Sequence, residues 1–249
     1  MKSRKAFSKK DIVLMLVSIL LVLMNVGAIH RAGRRRAKDM VCLSNLRQWG
    51  AIFEMYTNEN NGYFQYNSLG ENSKSRWPGF FRDYYVDIKI RLCPMAIIPA
   101  IGGGMTPYAA WGFDDGSYGS YGFNGWLSNR SITSGNDWGN IYSIEDTRMV
   151  PVFLDCIWYV VQPHDTDSPP ENPNFTTVVG SEMRRVCLDR HNAAINGLFT
   201  DWSVRKIGLK ELWTLKWHRN FDNTTGLWTK GGGVSPQDWP EWMTEFKDY

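Results

Sequence analysis

The chain has 249 residues, with 28 Lys and Arg against 25 Asp and Glu and a net charge of +3. Its basic excess lies before residue 40, in Lys2, Arg4, Lys5, Lys9 and Lys10 and then in Arg31, Arg34, Arg35, Arg36 and Lys38. The remainder is near neutral or slightly acidic, which excludes a nucleic-acid binder, whose basic surface belongs on the folded domain. Between the two basic clusters, Ile12–Ile29 carries no charge. At about 1.5 Å per residue it would rise roughly 27 Å, near a bilayer's hydrocarbon thickness, so a membrane-spanning helix is expected over 12–29. Equal numbers of basic residues on the two flanks leave its orientation open. A secretory signal cut after Val26-Gly27-Ala28 is the alternative, but the helical pattern continues past that point.

Cys42, Leu46, Trp49, Phe53 and Tyr56 fall at i, i+4, i+7, i+11 and i+14, an amphipathic stripe. The spacing predicts one helix from about Ser8 to Thr57, ended by Asn60-Asn61-Gly62. Beyond it, "IKIRLCP" (88–94) reads as a strand stopped by Pro94, and 95–147 as a turn-rich insertion with short strands. "MVPVFLDCIWYVV" (149–161) reads as one apolar strand and 163–174 as a polar, Pro-rich loop. Residues 184–209 suggest strands in a hairpin, 209–219 a short helix, and the tail after Asn220 irregular structure.

Cys42, Cys93, Cys156 and Cys187 show no CxxC or CxxH spacing, so no metal site follows from them. Behind an export segment they read as two disulfides, preferably Cys42–Cys93 and Cys156–Cys187, with free buried thiols as the alternative. Twelve Trp and eleven Tyr are read mainly as core and strand residues. Exposed aromatics stacking on a surface glycan would instead make the chain a binding module. Asp114-Asp115-Gly116 with Asn124 could offer oxygens to calcium, although the EF-hand spacing is absent and an Asp-Gly turn is preferred. No phosphate loop or nucleophile elbow occurs, and no enzyme activity is expected.

The opening "KAFSKKDIVLMLVSILLV" resembles the class III signal of type IV pilins and type II secretion pseudopilins. That resemblance places Ala6 before the cut, Phe7 as the N-methylated mature first residue, and Asp11 where the family's Glu sets the register between subunits. Further blocks, "CLSNLRQWGAIFEMYTNENNGYF" (42–64), "RLCP" (91–94), "SYGFNGWL" (120–127) and "RHNAAINGLFTDWSV" (190–204), are similar to a bacterial subgroup with a C-terminal H-x9-DG motif. His191 and Asp201 are the motif residues, expected to cap a strand end and to make a turn. Trp202 and Ser203 stand where the subgroup has Gly and His, so a different turn is expected there.

The resemblance implies an α+β fold. A leader (1–6) precedes a long N-terminal helix (7–61) packed on an antiparallel sheet domain (62–219), followed by an aromatic-rich tail (220–249). It implies an assembly subunit of a type IV pilus or type II secretion-like apparatus. Expected partners are other pilin-like subunits, prepilin peptidase and inner-membrane lipid. The implied location is a single pass through the bacterial inner membrane, with the C-terminal domain in the periplasm or on a filament. No cofactor beyond the calcium alternative is implied.

Overall fold

The computed structural model describes residues 8–65, 76–96, 98–101, 106–129, 135–174 and 180–249, without the side chains of 22–31 and 98–101. Ala6 and Phe7 lie outside the described residues. The chain divides into two units, Met1–Lys38 and Asp39–Tyr249.

Helix α1 (Lys9–Glu59) starts where two side chains supply the missing backbone partners. The Ser8 N–H donates to Asp11 Oδ2 at 2.9 Å, and the Asp11 N–H donates to Ser8 Oγ at 3.2 Å. This is a capping box with Asp in place of Glu, and it uses the carboxylate that the sequence assigned to subunit register.

Among the described residues no helix is long and apolar enough to cross a membrane, which corrects the expected span over 12–29. The described apolar side chains run from Ile12 to Leu21.

In the second unit, the α1 stripe Cys42, Leu46, Trp49 and Phe53 is fully buried. The helix closes at Asn61 and Gly62, both left-handed (φ 52° and 81°), with the Gly62 N–H returning to the Thr57 carbonyl at 2.8 Å. After α2 (Trp77–Phe80), residues 88–91 form a 3-10 turn where a strand was expected. The Asp87 carboxylate accepts the Lys89 N–H at 2.9 Å, a local bond that competes with extended structure.

Strands β1 (Ile98–Ile101), β2 (Ala109–Gly112) and β3 (Tyr118–Gly119) form one sheet, parallel between β1 and β2 and antiparallel between β2 and β3. The second sheet contains β4 (Tyr121–Asn124), β5 (Pro151–Asp155), β6 (Val160–Val161), β7 (Ala194–Phe199) and β8 (Val204–Gly208). Its order is β6-β4-β5-β7-β8, with β6 parallel to β4. Both sheets are therefore mixed, which corrects the expectation of an antiparallel sheet.

The stretch read as one strand over 149–161 is two. Cys156–Tyr159 crosses over β4, and Val160 pairs with Phe123 on its far side. Gly122 permits that crossing, because a Cβ there would lie 2.7 Å from both Cys156 Sγ and the Trp158 carbonyl. The 3-10 turn Lys210–Thr214 replaces the helix expected over 209–219.

Aromatic rings fill the space between α1 and the larger sheet. Trp49 meets Phe153 at 5.2 Å and Trp77 at 4.9 Å, and Phe53 stacks on Phe123 at 5.7 Å. Such contacts add to the burial of large apolar area. All the Trp residues are described and none is exposed, in keeping with their use as core, while Tyr63, Tyr108 and Tyr142 are exposed. The tail packs too: Trp239 lies 5.3 Å from Trp213 and 5.1 Å from Trp228, and Met243 is fully buried.

His218 is enclosed by Trp126 at 4.9 Å, Phe221 at 5.4 Å and His164 at 5.6 Å, with neither ring nitrogen bonded. Burial, reinforced by His164, pushes its imidazole down to about 4. Unfolding restores an ordinary value near 6.5, so the unfolded chain binds more protons between about pH 6.5 and 4 and stability falls as pH drops through that window. His218→Phe should remove this contribution. Urea unfolding at pH 7 and 4.5 should then show a smaller acid loss than wild type by on the order of 1–3 kcal/mol. Equal losses would contradict the assignment.

Candidate metal centre

Four chain segments deliver one polar cluster to the interior. Cys42 sits on the buried stripe of α1, one turn before Leu46. Cys93 follows the 3-10 turn Ile88–Arg91 and is held by its N–H donating to Ser120 Oγ at 2.6 Å. Asp155 ends β5, opposite Tyr121 of β4. His191 precedes β7, and its N–H donates to the Ala194 carbonyl at 2.9 Å across a tight turn. The two central residues of that turn, Asn192 and Ala193, are both left-handed (φ 61° and 56°), the backbone of a type I′ turn. The Asp189 carboxylate holds the turn by accepting the Ala193 N–H at 2.7 Å. Left-handed backbone costs a non-glycine residue about 1–2 kcal/mol, so the surrounding structure fixes His191 against strain.

One donor atom from each of Cys42, Cys93, Asp155 and His191 lies within 4.8 Å of all the others, and all four residues are buried. His191 Nε2 is 3.1 Å from Asp155 Oδ2 and 3.3 Å from Cys93 Sγ. Cys42 Sγ is 3.7 Å from Asp155 Oδ2 and receives the Tyr121 hydroxyl at 3.3 Å.

A second layer fixes these groups. Arg190, with no exposed side chain, donates to Asp155 Oδ1 at 3.1 Å and also to the carbonyls of Ser120, Ala109 and Cys156. The Asn196 N–H donates to Asp155 Oδ2 at 2.9 Å. His191 Nδ1 lies 3.0 Å from Asp39 Oδ1, and Asp39 is in turn bound by Lys206 Nζ at 2.8 Å and Asn196 Nδ2 at 2.8 Å.

The electrostatics follow from these contacts. Burial opposes ionisation of Asp155, but His191 and Arg190 outweigh it and hold the carboxyl well below its usual range. Burial likewise opposes a charged His191, yet the Asp155 carboxylate pushes the imidazole up to about 10. For the two thiols burial again disfavours the charge. Hydrogen bonds from Cys93 and His191 bring Cys42 below its ordinary value, whereas burial and the Cys42 sulfur drive Cys93 well above it.

The structure joins three residues that the sequence singled out separately, Cys42, Cys93 and His191. Cys156, Cys187 and Asp201 lie outside the cluster. All four cysteines are buried free thiols, which replaces the two expected disulfides. The Cys42 and Cys93 sulfurs face polar partners, and Cys156 Sγ accepts the Trp158 N–H at 3.4 Å. Burial pushes Cys156 up to about 12 and Cys187 higher still, so neither is an activated nucleophile.

Asp201 is exposed and accepts the Ser203 N–H at 3.0 Å in the β7–β8 turn, far in role from the buried His191. Trp202 in that turn is left-handed (φ 63°). Two of the residues considered for calcium make other bonds. Asp115 binds Arg76 and Ser117, and Asn124 Oδ1 accepts the Trp126 N–H at 3.1 Å.

Sequence reasoning missed Asp155, Arg190 and Asp39. The signal was present in "VPVFLDC": a carboxylate inside an apolar strand must find a buried partner. The arrangement contains two sulfurs, one imidazole and one carboxylate facing each other in a closed space, a donor set suited to a soft or borderline metal ion. No family model, curated protein or solved structure matches the chain.

The strained turn gives a direct check on how firmly His191 is held. Ala193→Val places a β-branched residue in left-handed backbone and should cost about 1–2 kcal/mol or more in urea unfolding. Ala193→Gly, whose relief of strain is offset by its freer unfolded chain, should stay within about 1 kcal/mol of wild type. A Val variant as stable as wild type would contradict the left-handed turn.

Proposed function

We propose that the protein is a structural subunit of a pilus- or secretion-type apparatus in the bacterial envelope, acting by assembly and not by catalysis. The observation that carries this reading is the first unit. In a helix with a closed N-terminal cap, the apolar side chains from Ile12 to Leu21 stand 47 to 65% exposed. An exposed apolar stretch of that length marks an interaction surface. The sequence blocks that resemble pilins and pseudopilins name the occupant: the equivalent helices of other subunits of the assembly.

The exposed basic residues Lys9 and Lys10, and Arg34 to Arg36, suit anionic lipid headgroups at the site of assembly. Prepilin peptidase is the proposed processing partner, acting between Ala6 and Phe7.

Photo-cross-linking from Leu16 or Leu20 in native cells, with mass spectrometry of the mature N-terminus, tests the proposal. Adducts to the N-terminal helices of pilin-like subunits, from a chain that starts at N-methylated Phe7, are expected. A freely soluble chain without adducts, or one cut after Ala28, would contradict it.

A further inference from the structure

We propose that Cys42, Cys93, Asp155 and His191 form a structural zinc centre that ties α1, the Cys93 loop, β5 and the β7 turn together. This inference does not depend on the assembly role. A tetrahedral zinc ion bound at about 2.0–2.3 Å by nitrogen, oxygen and sulfur separates its ligand atoms by roughly 3.4–3.8 Å. Three of the six edges in the cluster are within a few tenths of an ångström of that range, and all of them are within 4.8 Å. Nε2 to Cys93 Sγ is 3.3 Å, Nε2 to Asp155 Oδ2 is 3.1 Å, and Cys42 Sγ to Asp155 Oδ2 is 3.7 Å. Small outward shifts of four side chains open the centre to an ion.

The surrounding residues match the same ion. His191 presents Nε2 to the cluster because Nδ1 faces Asp39 at 3.0 Å, the carboxylate–histidine–metal arrangement that fixes ring orientation and tautomer. Asp155 presents Oδ2 while Oδ1 is held by Arg190. Charge balances as well: two thiolates and one carboxylate exceed a divalent cation by one negative charge, and the buried Arg190 guanidinium supplies the compensating positive one.

Two sulfurs with an imidazole favour zinc over magnesium or calcium, which take oxygen ligands. Four protein ligands in a buried site leave no open position for water, so the centre is structural and not hydrolytic. Binding forms four coordinate bonds and releases to solvent the protons held on the thiols and on Nε2.

Metal analysis of the reduced full-length chain tests the assignment. About one zinc per chain is expected, falling below about a tenth in Cys93→Ser and His191→Gln and unchanged in Cys187→Ala, whose thiol lies outside the cluster. Where a ligand variant fails to fold, the wild-type chain decides alone. Cobalt substituted for zinc should give a thiolate-to-metal charge-transfer band and the intense visible bands of a tetrahedral ion. Chelation should lower the melting temperature and expose two further thiols to alkylation. A reduced chain that takes up neither zinc nor cobalt would overturn the proposal, as would a native chain that carries a Cys42–Cys93 disulfide and no metal.

Discussion

Asp155 is a carboxylate without any exposure to water, and the layout of the larger unit follows from what that requires. An isolated buried charge is too costly to retain, so partners must converge on it from wherever the chain can bring them. Arg190 and His191 come from the loop before β7, the Asn196 amide from β7 itself, and Cys42 from α1. The elements that supply these partners are those whose apolar faces also pack together. The polar cluster and the aromatic core are therefore two consequences of one arrangement, with Trp49 and Phe153 lying on the apolar side of the same helix–sheet contact.

This constraint explains features that look unfavourable in isolation. Two consecutive left-handed residues after His191 are strained, and they persist because Asp189 and the Leu209 N–H, which bonds the Ala193 carbonyl at 3.1 Å, pin the turn. Bare glycine at position 122 lets the Cys156–Tyr159 crossing lie against β4, which places β6 parallel to it and brings the Cys156 carbonyl to Arg190. Asp39 stands at the start of the second unit, so the first helical residue of that unit already bonds His191 and Lys206. Backbone strain and the choice of glycine thus serve the placement of a few charged groups.

Periodicity made the buried stripe of α1 legible, because Cys42, Leu46, Trp49 and Phe53 repeat at helical spacing and one face must leave water. The hairpin was legible in part: strands were expected over 184–209, and β7 and β8 occupy 194–208 of that stretch, while Glu182–Arg185 forms a 3-10 turn. Other features depend on distant partners, which no local pattern encodes. Residues 88–94 have strand composition, yet a single bond from Asp87 and the burial of Ile90 favour a 3-10 turn. The stretch 149–161 is continuous in hydropathy, but its two halves pair on opposite sides of β4, so the sheet is mixed and not antiparallel. The span expected over 12–29 rested on hydropathy alone, and no membrane-crossing helix is found among the described residues. Of the cluster, Cys42, Cys93 and His191 stood out by residue type. Asp155, Arg190 and Asp39 did not, since their importance lies in which strand buries them.

The dependence of the fold on the buried pair is open to direct measurement. A double-mutant cycle of Asp155→Asn and Arg190→Met in the full-length chain, read by urea unfolding at neutral pH, isolates their coupling. Each single change leaves a buried polar or charged group without its partner and should cost about 3–5 kcal/mol, while the double change should cost at least about 2 kcal/mol less than the sum. Losses that add within about 0.5 kcal/mol would show that the two residues act independently, and Asp155 would not be the constraint around which the unit is built.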